Sequence, residues 1–126
     1  MTFTVQLPAG TTIDDRAPAI ERYVIRDAAG ELLIIDSAFS KLEPITLSDV
    51  PLTEVTLNGT RAMQHERRAN KVAAREVIIK GAVFLAGNGP GPEAASYTRV
   101  RYQNLPDARA RVADEIIETL QPLDWR

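Results

Sequence analysis

The sequence has no cysteine, so a disulfide framework, a thiol nucleophile and a cysteine-ligated zinc are all excluded. It has one histidine, His65, which rules out any site that needs two imidazoles. It has no long apolar run. The longest, Leu32-Leu33-Ile34-Ile35 and Ala82-Val83-Phe84-Leu85-Ala86, fall far short of the roughly 20 residues of a membrane helix. Met1-Thr2-Phe3-Thr4-Val5 lacks the basic start and apolar stretch of a secretory signal. The expected compartment is the cytoplasm, or the periplasm if a leader has been removed.

What is present is the composition of an ordinary folded domain, 44% apolar and 25% charged over 126 residues. A chain of this length buries roughly two-thirds of its unfolded surface, and no linker, repeat or low-complexity tract divides it. One domain over residues 1–126 is expected. The net charge of −2 is unevenly spread. Residues 1–60 carry four basic and nine acidic groups, whereas residues 61–80 carry six basic and two acidic. That basic strip has no interleaved aromatics, which argues for a solvated face and against nucleic-acid binding.

Phe3, Val5 and Leu7 alternate with polar residues into Pro8-Ala9-Gly10 and read as a strand. Thr11 to Pro18, with Asp14 and Asp15, reads as a loop or a single helical turn. Glu21–Arg26 and Glu31–Asp36 flank a short turn ending in Gly30, a hairpin whose second strand is apolar enough to be covered on both faces. Ser37 to Thr53 is irregular. Asn58-Gly59 is the strongest hairpin signal, and the return strand places Arg61, Met63 and His65 on one face and Ala62 and Gln64 on the other. Arg67 to Arg75 is ambiguous between strand, turn and helix. Glu76 to Ala86 reads as a long central strand bent at Gly81, and Ser96 to Tyr102 as a further strand. Pro106-Asp107 opens a helix with an apolar stripe of Val112, Ala113, Ile116, Ile117 and Leu120, stopped by Pro122. The expected fold is α+β: a mostly antiparallel sheet of five to seven strands packed against a C-terminal helix.

No catalytic constellation is legible. His65 is the one side chain suited to proton transfer near neutral pH, but on a strand its neighbour Glu66 points to the opposite face. Ser37, Ser40, Ser48 and Ser96 lack a Gly-x-Ser-x-Gly context. No metal or cofactor is expected: Asp14-Asp15 lacks a calcium-loop pattern, and Asp114, Glu115 and Glu118 belong to the outward face of the helix. Gly87–Pro92 contains Gly-x-Gly-x-Gly but leads into a strand, so it reads as a surface loop and not a phosphate cradle. Asn58-Gly59-Thr60 matches a glycosylation acceptor but is read as a turn. Trp125 is expected to dock on the sheet.

Leu7-Pro8-Ala9-Gly10, the strand Val55-x-Leu57-Asn58-Gly59 with Ala62 after it, and the closing helix ending Ile117-Glu118-Thr119-Leu120 together resemble the PsbP/DcrB-like α/β sandwich family. The resemblance implies a mostly non-enzymatic protein, because members serve as accessory subunits, lipoprotein domains, or chaperones and adaptors for secreted bacterial effectors. The family has no shared catalytic residues. The leading expectation is a non-catalytic protein-binding module in bacteria: an adaptor, chaperone or immunity-type inhibitor. Its expected contacts are Arg61, Arg67, Arg68, Lys71 and Arg75, joined by Tyr97, Arg99 and Arg101 if these share a face. The alternatives are a self-associating subunit of a phage or secretion assembly, and a small enzyme using His65 as acid/base.

Overall fold

The computed structural model describes residues 3–15, 21–38, 42–47, 49–85 and 93–122. The Gly87–Pro92 loop and Trp125 lie outside the described residues. Seven strands form one antiparallel sheet: β2 (Thr12–Asp15), β3 (Glu21–Asp27), β4 (Gly30–Ala38), β5 (Thr53–Leu57), β6 (Thr60–Ala69), β7 (Val72–Leu85) and β8 (Glu93–Pro106). Their order across the sheet is β2-β3-β4-β8-β7-β6-β5. A helix, α1 (Asp107–Thr119), follows β8, and β1 (Phe3–Thr4) pairs with β9 (Gln121–Pro122) in a two-stranded sheet of its own. The fold is α+β, as the sequence implied.

Three tight turns set the register. Asn58 and Gly59 both have positive φ (50° and 80°), and so do Asn70 and Lys71 (53° and 64°). Positive φ at both central residues is the signature of the type I′ turn, whose twist suits a hairpin. The second of these turns settles the ambiguous stretch Arg67 to Arg75: it is the end of β6, a turn and the start of β7. The β3–β4 turn is tied by the Ala29 N–H, which donates to Asp27 Oδ1 at 2.9 Å, with Gly30 at φ 121°. Thr12–Asp15 is a strand, contrary to the loop or single helical turn expected there. Ile13 pairs with Ile25 and Asp14 with Val24, so ladder pairing overrides a polar sequence at this edge.

One face of the sheet is apolar. Ile25, Leu33, Ile35, Val100, Tyr102, Val77, Ile79, Ala62 and Leu57 form a core with Ala110, Ala113, Ile116, Ile117 and Leu120. The helical stripe is therefore buried as its i, i+3, i+4 spacing requires. Fully burying each isoleucine contributes about 1.5–3 kcal/mol. Phe3 closes one end of the core with its ring edge-on to Tyr23, centroids 5.3 Å apart. Arg109 fixes the start of the helix by a fork onto Asp27, with both bonds 2.9 Å.

The other face is governed by connectivity. After β4, in mid-sheet, the chain passes to β5 at the far edge and returns through hairpins to place β8 beside β4. β4 and β5 thus stand four strand spacings apart, about 19 Å. The described residues between them, 42–47 and 49–52, lie over the face opposite α1, where their backbone meets Arg99, Glu76 and His65.

Two outcomes follow. Lys71→Gly removes the cost of a left-handed lysine, so the urea midpoint rises by the equivalent of about 0.5–1 kcal/mol at unchanged slope; a loss of stability would contradict the turn. The hydrogen bond from Arg109 holds Asp27 below the usual aspartate value of 3.8. A depressed folded-state value means that this fork stabilises the fold above pH 3.8 and ceases to as pH falls through the folded value. The gap in melting temperature between the native chain and Asp27→Asn is accordingly present at neutral pH and closes in acid.

Candidate functional site

His65 lies on β6 and Glu76 directly opposite it on β7, a position set by the Asn70-Lys71 turn. Nε2 of His65 is 2.7 Å from Glu76 Oε1, and the two side chains are 1% and 0% exposed. Nδ1 is 3.0 Å from the Val50 carbonyl, which can only accept, so Nδ1 carries a hydrogen. Glu76 also accepts the backbone N–H groups of Ile45 (3.0 and 3.1 Å) and Thr46 (3.0 Å). The only imidazole and a buried carboxylate thus converge as a catalytic dyad would. Their remaining partners are the protein's own backbone.

Beside this pair, Asp36 is completely buried on β4 and holds two arginines. Arg22 Nε donates to Oδ1 at 2.6 Å, while Arg99 donates to Oδ2 from Nε at 3.2 Å and Nη2 at 2.7 Å. Arg99 Nη1 reaches on to the Glu43 carbonyl at 2.8 Å. Arg101, opposite Glu76 in the ladder, keeps its Nε 4.0 Å from Asp36 Oδ2. Burial, opposed by the charge of Asp36, pushes its guanidinium below its usual value. Residues 42–47, with 49 and 50, therefore form a strap over the sheet, anchored by Arg99 at Glu43, Glu76 at Ile45 and Thr46, and His65 at Val50. Buried Leu42 and Leu47 add apolar contact. Among the described residues, Arg101 Nε and Thr46 Oγ1 are the buried side-chain polar atoms without a hydrogen-bond partner.

A second polar group lies between the sheet and α1. Arg75 donates to Gln64 Oε1 (3.0 and 2.9 Å), Asp114 Oδ1 (3.1 Å) and Glu118 Oε1 (3.2 Å). Asp114 also accepts from Tyr102 Oη at 2.8 Å and Arg68 at 2.6 Å. Burial and the bond to Asp114 push the Tyr102 hydroxyl well above its usual value. Asp114 is thus no outward solvated charge but the fastening between helix and sheet, and Glu118 shares the task.

The eight expected contact residues do not form one surface. Arg68 and Arg75 lie on the helix side, and Arg75 and Arg99 are buried and fully engaged. Arg67, Arg99, Arg101, Arg61 and Tyr97 lie on the strap side by strand alternation. Arg61 pairs with Glu54 and Arg67 with Asp49, both near solvent. Lys71 is exposed at its turn. The alternation of Arg99 and Arg101 suits a solvent face as well as a covered one, which is why their burial was not legible. Glu76, Asp36 and Thr46 were missed as site residues. The available signal was charge embedded in apolar strands, Asp36 ending Leu32–Ile35 and Glu76 opening Val77–Ile79.

Among the described residues, no group of three or more His, Asp or Glu side chains could hold a metal ion. No helix is long and apolar enough to cross a membrane. No protein-family model matches the chain, and no curated protein matches it. Among solved structures, a crystal structure from Bacteroides thetaiotaomicron VPI-5482 is similar at 9% identity and a TM-score of 0.49. The likeness covers 96% of this chain and 45% of that one, so this chain spans less than half of that protein.

Removing one member of a buried pair leaves the other uncompensated, at about 3–5 kcal/mol. His65→Ala and Glu76→Gln are each expected to lower unfolding free energy on that scale in urea titrations. A change below about 0.5 kcal/mol, the range of ordinary surface substitutions, would show that the pair does not hold the strap.

Proposed function

We propose that this chain is a non-catalytic protein-binding module, of the adaptor, chaperone or immunity-inhibitor kind. The observation that carries the reading is an open groove of about 420 Å³ on the strap side, at the β5–β6 end of the sheet. Leu42, Met63, Ile78 and Tyr97 give it an apolar lining, and Glu54, Arg61 and Lys80 add charge. Met63 is 39% exposed, a large apolar side chain left facing water. Apolar centres with charged surroundings, and Arg and Tyr among the contacts, are what protein interfaces use. Two of the expected contacts, Arg61 and Tyr97, meet here.

The His65–Glu76 pair supports the same reading from the opposite direction. Its hydrogen bonds serve the strap, and the strap stands between it and solvent. The resemblance to the PsbP/DcrB-like sandwich, whose members are mostly non-enzymatic, agrees. A second reading, a subunit of a larger assembly, is favoured by the β7–β8 ladder. It continues through Val83↔Ala95, Phe84↔Ala94 and Leu85↔Glu93, beyond the last β6 pairing at Ala62↔Ile79.

The test is affinity capture from native lysate with the wild-type chain, Met63→Glu, and Arg111→Glu, exposed on α1 at the opposite face, as a control away from the groove. A partner recovered by the wild type and the control but lost with Met63→Glu is the expected result. Equal recovery by all three would remove the groove from the account. Growth of scattering mass with concentration would shift the weight to the assembly reading.

A further inference from the structure

A second cavity, of about 280 Å³, lies under the strap on the other side of the His65–Glu76 pair. Thr46 and Leu47 of the strap make one wall, and the β6–β7 turn with Asn70 makes another. Its floor is small, because Ala74, on the strap side of β7 opposite Arg67, leaves room that a longer side chain would fill. The remaining wall is an irregularity in β8. Ala73 pairs with Leu105 but Arg75 pairs with Tyr102, so β8 holds one extra residue there, and Asn104 takes φ 56°. Such bulges redirect side chains and are over-represented beside functional sites.

Among the described residues, several polar side chains lining this cavity have no protein hydrogen-bond partner and face solvent. The side chains of Asn70, Gln103 and Asn104 line it, and no described residue bonds them. Thr46 Oγ1 is buried and without a partner. Arg67 supplies a guanidinium that is 47% exposed, and its present partner, Asp49, is still more exposed. An exposed pair of this kind contributes about 0–1 kcal/mol, so a competing anion can displace it. Lys71 adds a further positive charge next to Asn70.

We propose that this cavity binds a carboxylate group, taken by the Arg67 guanidinium in place of Asp49 and by the amides of Asn70, Gln103 and Asn104. The fork geometry of arginine matches a carboxylate, and amide N–H donors complete its oxygens. The volume sits at the lower limit for ligand pockets, which suits a small acid or a single acidic side chain. The inference goes beyond the protein-binding reading and does not rest on it, since cavity and groove lie at different places on the strap side.

The experiment follows side-chain amide resonances of Asn70, Gln103 and Asn104 in the full chain by NMR. Probes are succinate, for a free small acid, and N-acetylglutamate amide, for a protein side chain, with sodium chloride at matched ionic strength as reference. Saturable shifts at these amides with either carboxylate and not with chloride are expected, and the tighter probe identifies the source. Arg67→Gln weakens binding about tenfold or more. Asp49→Asn, which frees the guanidinium, tightens it. Ala74→Leu fills the floor and abolishes it; if that variant fails to fold, the smaller Ala74→Val is substituted. Shifts absent, matched by chloride, or unchanged in Arg67→Gln would overturn the proposal.

Discussion

Buried backbone must find hydrogen-bond partners, and in this protein that requirement falls on the connection from β4 to β5. Strand order sends it across the sheet, and a connection lying on a sheet face cannot leave its peptide groups unpaired without costing about 1–3 kcal/mol each. The sheet answers with side chains. Glu76 accepts from two consecutive amides, His65 reaches a carbonyl, and Arg99 reaches another. Charges on a central sheet face, which would ordinarily need explaining, are here the complement of a loop that has no ladder of its own.

The two faces are consequently built on different physics. The α1 face is closed by non-directional burial of a helical stripe, and its polar residues gather at the rim around Asp114. The strap face is closed by directional bonds to a buried dyad and a buried aspartate. Directional closure is specific but leaves gaps, because a strap does not cover a sheet as evenly as a helix does. The apolar groove at Met63 and the alanine-floored cavity at Arg67 are those gaps. Both proposals of function arise from them.

Local signals revealed the local structure. Asn58-Gly59 announced its hairpin, the stripe from Val112 to Leu120 announced the helix, and the doubly covered Leu32–Ile35 strand was readable from its lack of alternation. Asn70-Lys71 did not announce itself, because lysine rarely takes a positive φ and nothing in the sequence shows that the ladder on either side enforces it. With that turn unread, the pairing of His65 with Glu76 could not be deduced, although it follows directly once Asn70 and Lys71 are placed at the centre of a hairpin. Glu66, the neighbour considered first, does point away. Strand order was beyond local reasoning altogether. No propensity or period says that β8 returns beside β4, and so none says that residues 42–47 cross over Glu76.

The central claim is that Glu76 pins the strap. Amide hydrogen exchange at Ile45 and Thr46 addresses it most directly. In the native chain both amides should be protected, and in Glu76→Gln both should exchange faster by a larger factor than amides in the core of α1, such as Ile116 and Ile117. Equal acceleration at all four would mean that the substitution only lowers global stability, and unprotected Ile45 and Thr46 in the native chain would mean that the strap is not held there at all.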